Sequence, residues 1–155
     1  MSLRSTVLAT GLAVVAATAA VADNGLVTKQ SAYAAEETLS RLSSAMTEAG
    51  FTVFATLDHA AAAQSAELEM PFSTVLVFGN PKLGTPSFLS TPELAIDLPL
   101  KALVWEDAAG DVFVSYNSGT YVHETLYNRH ASAFDPEVTQ RINAGLGKIT
   151  DGVVN

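Results

Sequence analysis

Asp58-His59 sets a carboxylate beside an imidazole at the point where an alternating segment gives way to an alanine-rich one. An imidazole there could act as a general base oriented by Asp58, as a metal ligand, or as a pH-sensitive hydrogen-bond donor. No Ser or Cys adjoins it in sequence to be activated as a nucleophile. The plainer alternative has Asp58 capping the following helix and His59 packing beneath a loop.

A second group of polar side chains lies in Phe78-Gly-Asn-Pro-Lys-Leu-Gly-Thr-Pro86. Asn80, Lys82 and Thr85 supply an amide, an ammonium and a hydroxyl, while paired Gly and Pro residues constrain the backbone. The stretch reads as a shaped loop after a strand. Its spacing matches neither nucleotide-binding glycine motif, so Gly79 and Gly84 are expected to serve unusual backbone angles or close approach rather than a phosphate cradle. Lys82 and Lys101 are cations in an acidic chain and could recruit a small anion, unless each pairs with a surface carboxylate. The expected ligand-contacting set is therefore His59, Asn80, Lys82, Thr85 and Lys101, with His59 also the candidate for a metal.

The remaining constellations are weaker. His123-Glu124 begins like a zinc-protease motif, but Tyr127 stands where the second His is needed, and a solvated helix face is the better reading. His123 and His130 could share a helical face, yet two imidazoles make no closed metal site. Glu106 and Asp107 are adjacent, so on a strand they would point to opposite faces beside a turn that they solvate. Trp105, Tyr116 and Tyr121 could line a pocket, although the alternation puts Trp105 and Tyr116 on strands suited to core or dimer packing. Noncovalent haem or metal carriage through His59 or His130 has no motif behind it, and no cofactor follows from the residues.

The periodicities sketch the elements that must position these groups. Leu26 to Ser31 reads as a short strand. Apolar residues at Ala35, Leu39, Leu42, Met46 and Ala49 make one face of a helix over 34–49, with Glu36 and Glu37 in its first turn and Gly50 after its end. Phe51 to Asp58 alternates as a strand, His59 to Ala66 favours a short helix, and Ser73 to Gly79 reads as a central strand buried on both faces. Thr91-Pro92-Glu93 starts another short helix. Leu100 to Glu106 and Asp111 to Tyr116 form a hairpin across Asp107-Ala-Ala-Gly110. The last helix begins at Asp135-Pro136 and runs over 135–151, its face made by Val138, Ile142, Leu146, Ile149 and Val153. This order predicts an α+β domain of two layers, with helices on one face of a mainly antiparallel sheet.

The leader and the composition bound the compartment and the partners. Arg4 precedes an uncharged run from Ser5 that closes on Ala20-Val21-Ala22, the layout of a cleaved signal peptide over residues 1–22. That run is rich in Ala and Thr and ends at a cleavage triplet, which speaks against a membrane anchor. Residues 23–155 then make one domain in the periplasm or outside the cell, with no membrane span after cleavage. The absence of Cys excludes disulfides, thiol catalysis and thiolate metal sites. With 16 acidic against 8 basic residues, a formal net charge of −8 and no basic cluster, nucleic acid is a poor partner.

Three segments carry a family likeness: Asp58-His-Ala-Ala-Ala-Ala63, the stretch from Phe78 to Pro86, and Asp97-Leu-Pro-Leu-Lys-Ala-Leu-Val-Trp-Glu-Asp107, extended by Ser115-Tyr116-Asn117. Over about residues 25–120 the chain resembles the bacterial domain of unknown function family 302. Ser87-Phe88 and the Ser-Gly-Thr after Asn117 depart from the family pattern, and the helix from Asp135 lies beyond the resembling segments. The resemblance implies a compact α+β domain that tends to form homodimers, with no established activity, cofactor or substrate. We therefore expect a dimeric binding or interaction module for a small anion or metal ion. The alternative is an enzyme, a hydrolase or isomerase using His59 as base with Asp58 orienting it.

Overall fold

The stripe formed by Ala35, Leu42 and Met46 is fully buried on helix α1 (Ala35–Glu48), while Glu36 and Glu37 stay exposed in its first turn. A second long helix, α5 (Pro136–Val154), buries Leu146, Thr150, Val153 and Val154 beside it. Both lie against one face of the sheet. The computed structural model describes residues 24–155, so the leader read over residues 1–22 lies outside the described residues.

The sheet contains β1 (Leu26–Gln30), β2 (Thr52–Asp58), β3 (Ser73–Gly79), β4 (Leu100–Glu106) and β5 (Val112–Asn117), in the order β1-β5-β4-β3-β2. Every pairing among them is antiparallel, as the α+β reading requires. Register assigns the two faces. Leu76 opposite Ala102 and Val104 opposite Val114 point toward the helices and are buried. Lys29 sits on the same face yet stays satisfied, because its Nζ donates to the Gly147 carbonyl at 2.9 Å and to Asp151 Oδ1 at 2.6 Å on α5.

The other face has no covering layer among the described residues. It presents Val75, Leu103, Trp105 and Phe113, with Leu57 and Leu26 about half exposed toward the sheet edges. Trp105 stacks on Phe113 at 4.8 Å and donates its indole N–H to Ser115 Oγ at 2.9 Å. The expectation that β3 is buried on both faces is therefore corrected: β3 alternates buried and half-buried residues, and β4 is the central strand. An apolar run alone does not reveal whether a second layer is present.

The shaped loop expected after β3 is a helix, α3 (Pro81–Ser90). The side chain of Asn80 accepts the Lys82 N–H at 3.0 Å, and Pro81 takes the first helical position, where a missing N–H costs nothing. Gly and Pro residues signal loops, but Asn-Pro is equally a helix start. Gly84 makes only ordinary contacts inside this helix, whereas a Cβ on Gly79 would come 3.2 Å from the Phe54 ring. The close-approach expectation thus applies to Gly79 and not to Gly84.

A short helix α2 (His59–Ser65) joins β2 to β3. A 3-10 turn (Pro92–Ile96) leads into β4. After β5 the chain makes one helical turn, α4 (Gly119–Tyr121), that continues as a π-helical segment over Val122–Tyr127. Leu94, Val122, Leu126 and Tyr127 bury one another here, packed against Phe88, Leu98 and Phe134. This satellite cluster is separate from the main core and closes one end of the domain.

Candidate functional site

Between the main core and the satellite cluster lies a cavity of about 520 Å³. Its walls come from five separated parts of the chain. Phe51 and Phe54 belong to β2 and its approach, and Pro81, Leu83, Gly84, Ser87 and Phe88 to α3. Leu98, Pro99 and Leu100 lead into β4, Val122 and Tyr127 lie on the π-helical segment, and Val138, Arg141, Ile142 and Leu146 lie on α5. A π-helical segment often marks a functional site, and here it supplies wall residues.

The lining is mostly apolar, and its uncharged polar side chains have partners. Tyr127 Oη donates to Ser87 Oγ at 3.3 Å, which ties the π-helical segment to α3. Asn80 is occupied by its cap of α3 and by a bond of 3.4 Å from its amide to the Gly50 carbonyl. Phe134 packs between the rings of His123 and Tyr127, at 4.9 and 4.3 Å. The histidine expected on a solvated helix face is thus half-buried in the wall's support, with Nδ1 3.3 Å from Thr139 Oγ1. Volumes of roughly 300–1,000 Å³ with apolar walls and few polar groups are those of small-molecule sites.

The residues singled out in the sequence do not gather in one place. Asp58 pairs with Thr74 at one end of β3, while Thr52 pairs with Gly79 at the other. His59 and Asn80 therefore stand about 17–20 Å apart, from the rise of an extended strand. Asp58 accepts the Ala61 N–H at 2.9 Å as the cap of α2, and His59 beside it is exposed. Lys82 and Thr85 are exposed on α3, outside the cavity lining. Lys101 pairs with Val77 on the uncovered sheet face, and its Nζ donates to the Asp97 and Pro99 carbonyls at 3.3 Å each. Of the expected ligand set, only Asn80 reaches the cavity.

The residues missed were Tyr127, Phe134 and Arg141. One signal was available for Arg141: it sits between Val138, Ile142 and Gly145 on the apolar side of α5, where a cation is out of pattern. Nothing local marked Tyr127 or Phe134, whose segments meet the cavity only through the fold.

An ionic cluster buttresses the wall. Arg129 Nη1 donates to both oxygens of Asp97, at 3.0 and 3.1 Å, and His130 Nε2 lies 2.6 Å from Asp97 Oδ2. Together these fasten the segment before β4 to the segment after the π-helical turns. The His130 hydrogen bond, helped by the nearby charges of Arg129 and Lys101, holds the Asp97 carboxyl below its ordinary pKa. A depressed folded-state pKa gives stability that is full above the ordinary carboxylate value and disappears as pH falls through the folded one. Asp97→Asn is accordingly expected to lower the unfolding midpoint at neutral pH. The gap from the unsubstituted protein should close as pH falls from the ordinary carboxylate range through the lower folded-state value, followed by circular dichroism. A gap that stays constant across that range would remove the carboxylate's role.

Among the described residues no group of three or more His, Cys, Asp or Glu could hold a metal ion, and no helix is long and apolar enough to cross a membrane.

Residues 27–149 match the family described as domain of unknown function DUF302, a span that reaches through most of α5. The chain is 33% identical over 133 residues to a protein named fluoride-specific ion channel FluC 1 from Brucella suis biovar 1 (strain 1330), covering 85% of this chain and 51% of that protein. FluC 1 of Brucella abortus biovar 1 (strain 9-941) is likewise 33% identical, over 48% of its length. The chain thus spans about half the length of the curated relatives it matches. A crystal structure of an uncharacterized conserved DUF302 protein from Bacillus stearothermophilus superposes with a TM-score of 0.64 at 19% identity, over 84% of this chain and 96% of that one. That likeness is one of fold.

Proposed function

Since the chain belongs to the DUF302 family, a domain of unknown function, we propose its role from its own cavity: it is a binding module that holds an apolar small molecule between α3, the π-helical segment and α5. The observation that supports this is an apolar cavity of about 520 Å³ whose uncharged polar lining groups already have partners within the protein. The fit is to a ligand recognised by shape and apolar surface, rather than to the small polar anion or metal ion expected from the sequence. Asn80 enters this proposal as a wall residue. His59, Asp58, Lys82, Thr85 and Lys101 stay outside it. The channel activity named for the Brucella proteins is said of chains about twice as long as the matched region.

A neutral fluorophore that brightens in apolar surroundings, such as N-phenyl-1-naphthylamine, tests the reading. The protein should bind it saturably, and Ala133→Trp, at an exposed lining position, should weaken binding about tenfold by filling the space. Absence of saturable enhancement would sink the proposal.

The module works as an exported homodimer in this reading. Export is supported by the leader pattern of residues 1–22. Dimerisation is supported by the uncovered face, because antiparallel sheets that meet water carry polar residues there, and this one carries Val75, Leu103, Trp105 and Phe113. Leu103→Glu at the middle of that face is expected to raise the dimer dissociation constant about 100-fold, measured by sedimentation equilibrium. A protein that sediments as a monomer before substitution would refute the dimer.

A further inference from the structure

We infer that the cavity's ligand is an amphipathic monocarboxylate, its apolar body enclosed by the walls and its acid group taken by Arg141. This rests on the reading of the cavity as a ligand site and names the chemistry of what enters it. Only two charged side chains, Asp135 and Arg141, line the cavity among the described residues, and they differ in what they are free to do. Asp135 caps α5: its Oδ1 accepts the Glu137 N–H at 2.9 Å. Arg141 has no comparable commitment. Its one ionic contact is Nη2 to Asp135 Oδ2 at 3.9 Å, beyond hydrogen-bond distance, and both side chains are more than half exposed.

A guanidinium carries five N–H donors in a planar fork that matches a carboxylate with two parallel hydrogen bonds. At Arg141 that fork stands at the rim of an apolar space on an otherwise acidic protein. An incoming carboxylate can take the fork while Asp135 keeps its bond to the helix. A doubly charged phosphate fits less well, because this single cation would face two negative charges with the Asp135 carboxylate close by. A cationic head group would have to approach Asp135 Oδ2 against the repulsion of the Arg141 guanidinium, which stands 3.9 Å from that oxygen. Apolar walls with one weakly paired cation among them therefore select a single negative charge on an apolar chain.

The test compares decanoate, decanol and decylamine on the full chain by displacement of the neutral fluorophore, with the protein and with Arg141→Gln and Arg141→Lys. Decanoate should bind about 3–10-fold more tightly than decanol, since the guanidinium is largely exposed to solvent. Arg141→Gln should bring decanoate to the level of decanol, with its circular dichroism spectrum and unfolding midpoint matching the unsubstituted protein to show that the variant is folded. Arg141→Lys should retain part of the preference, since a point charge lacks the fork. Equal binding of decanoate and decanol, tighter binding of decylamine, or a preference that survives Arg141→Gln would each overturn the assignment while leaving the cavity reading in place. Failure of all three compounds to displace a saturably bound fluorophore would likewise overturn the assignment alone, whereas absence of saturable fluorophore binding would remove both readings.

Discussion

Phe78→Ala is expected to destabilise the protein by about 3–5 kcal/mol, the cost of deleting a fully buried aromatic side chain and leaving a void. Phe78 closes β3 on the helix-facing side of the sheet, where it is 0% exposed and meets the edge of Phe51 at 5.4 Å with the rings nearly perpendicular. Such edge contacts contribute about 0.5–1.5 kcal/mol beyond area burial. Few neighbours can collapse into the space, because Leu76, Leu42 and Met46 are themselves fully packed. Chemical denaturation should show a reduced midpoint with an unchanged slope. The effect extends to the site: Phe51 lines the cavity and loses the ring behind it, so fluorophore affinity should fall too. A destabilisation below about 1 kcal/mol would mean that this end of β3 repacks freely.

Gly119→Ala is the second. A Cβ at this position would lie 2.5 Å from the Thr139 carbonyl oxygen and 3.0 Å from Ile142 Cβ, so α4 and α5 would have to separate. The obstacle is backbone, which cannot turn aside as a flexible side chain does. Gly119 also donates its N–H to Asn143 Oδ1 at 2.7 Å, a bond that lengthens with the same shift. Overpacking of this kind costs about 3 kcal/mol, or roughly a 10 °C fall in Tm for a domain of this size. Because Arg141, Ile142 and Leu146 stand on α5, the displacement should weaken ligand binding as well. Gly145→Ala makes the contrast. It lies inside the same α5 helix with nothing within 4 Å of a new Cβ, so it is expected to raise stability by about 0.5–1 kcal/mol through helix propensity. Equal effects from the two substitutions would show that contact with α5 is not what requires glycine at 119.

Taken with the cavity, these two positions show how the site is held. The functional candidate is not a catalytic constellation on a loop but a space between two packed clusters. Its walls are structural residues, so the variants that damage the site most should also be the destabilising ones. Arg141 and Ala133 are exceptions, since both are exposed and can be changed with little effect on packing.

Much of the fold was legible because its signals are local. The stripe from Ala35 to Met46, the alternation from Phe51 to Asp58 and the hairpin around Asp107 each lie within one element, and periodicity reports burial there directly. The end of β3 was the hard case, because Gly, Pro and Asn signal both turns and helix starts. His59 and Lys101 stood out as rare residue types, but rarity in a sequence carries no information about which residues meet in space.

The sequence by itself determined the five strands and the two long helices, the antiparallel α+β class, the acidity and the family, since these depend on residue type and near-neighbour spacing. Only the tertiary structure decided where the cavity lies, that one sheet face stays uncovered, and that Arg141 rather than Lys82 or Lys101 stands at the cavity mouth. The physical reason is distance along the chain. Phe51, Phe88, Leu98, Tyr127 and Ile142 become neighbours only through long-range packing, and no periodicity within any one of their segments encodes that meeting.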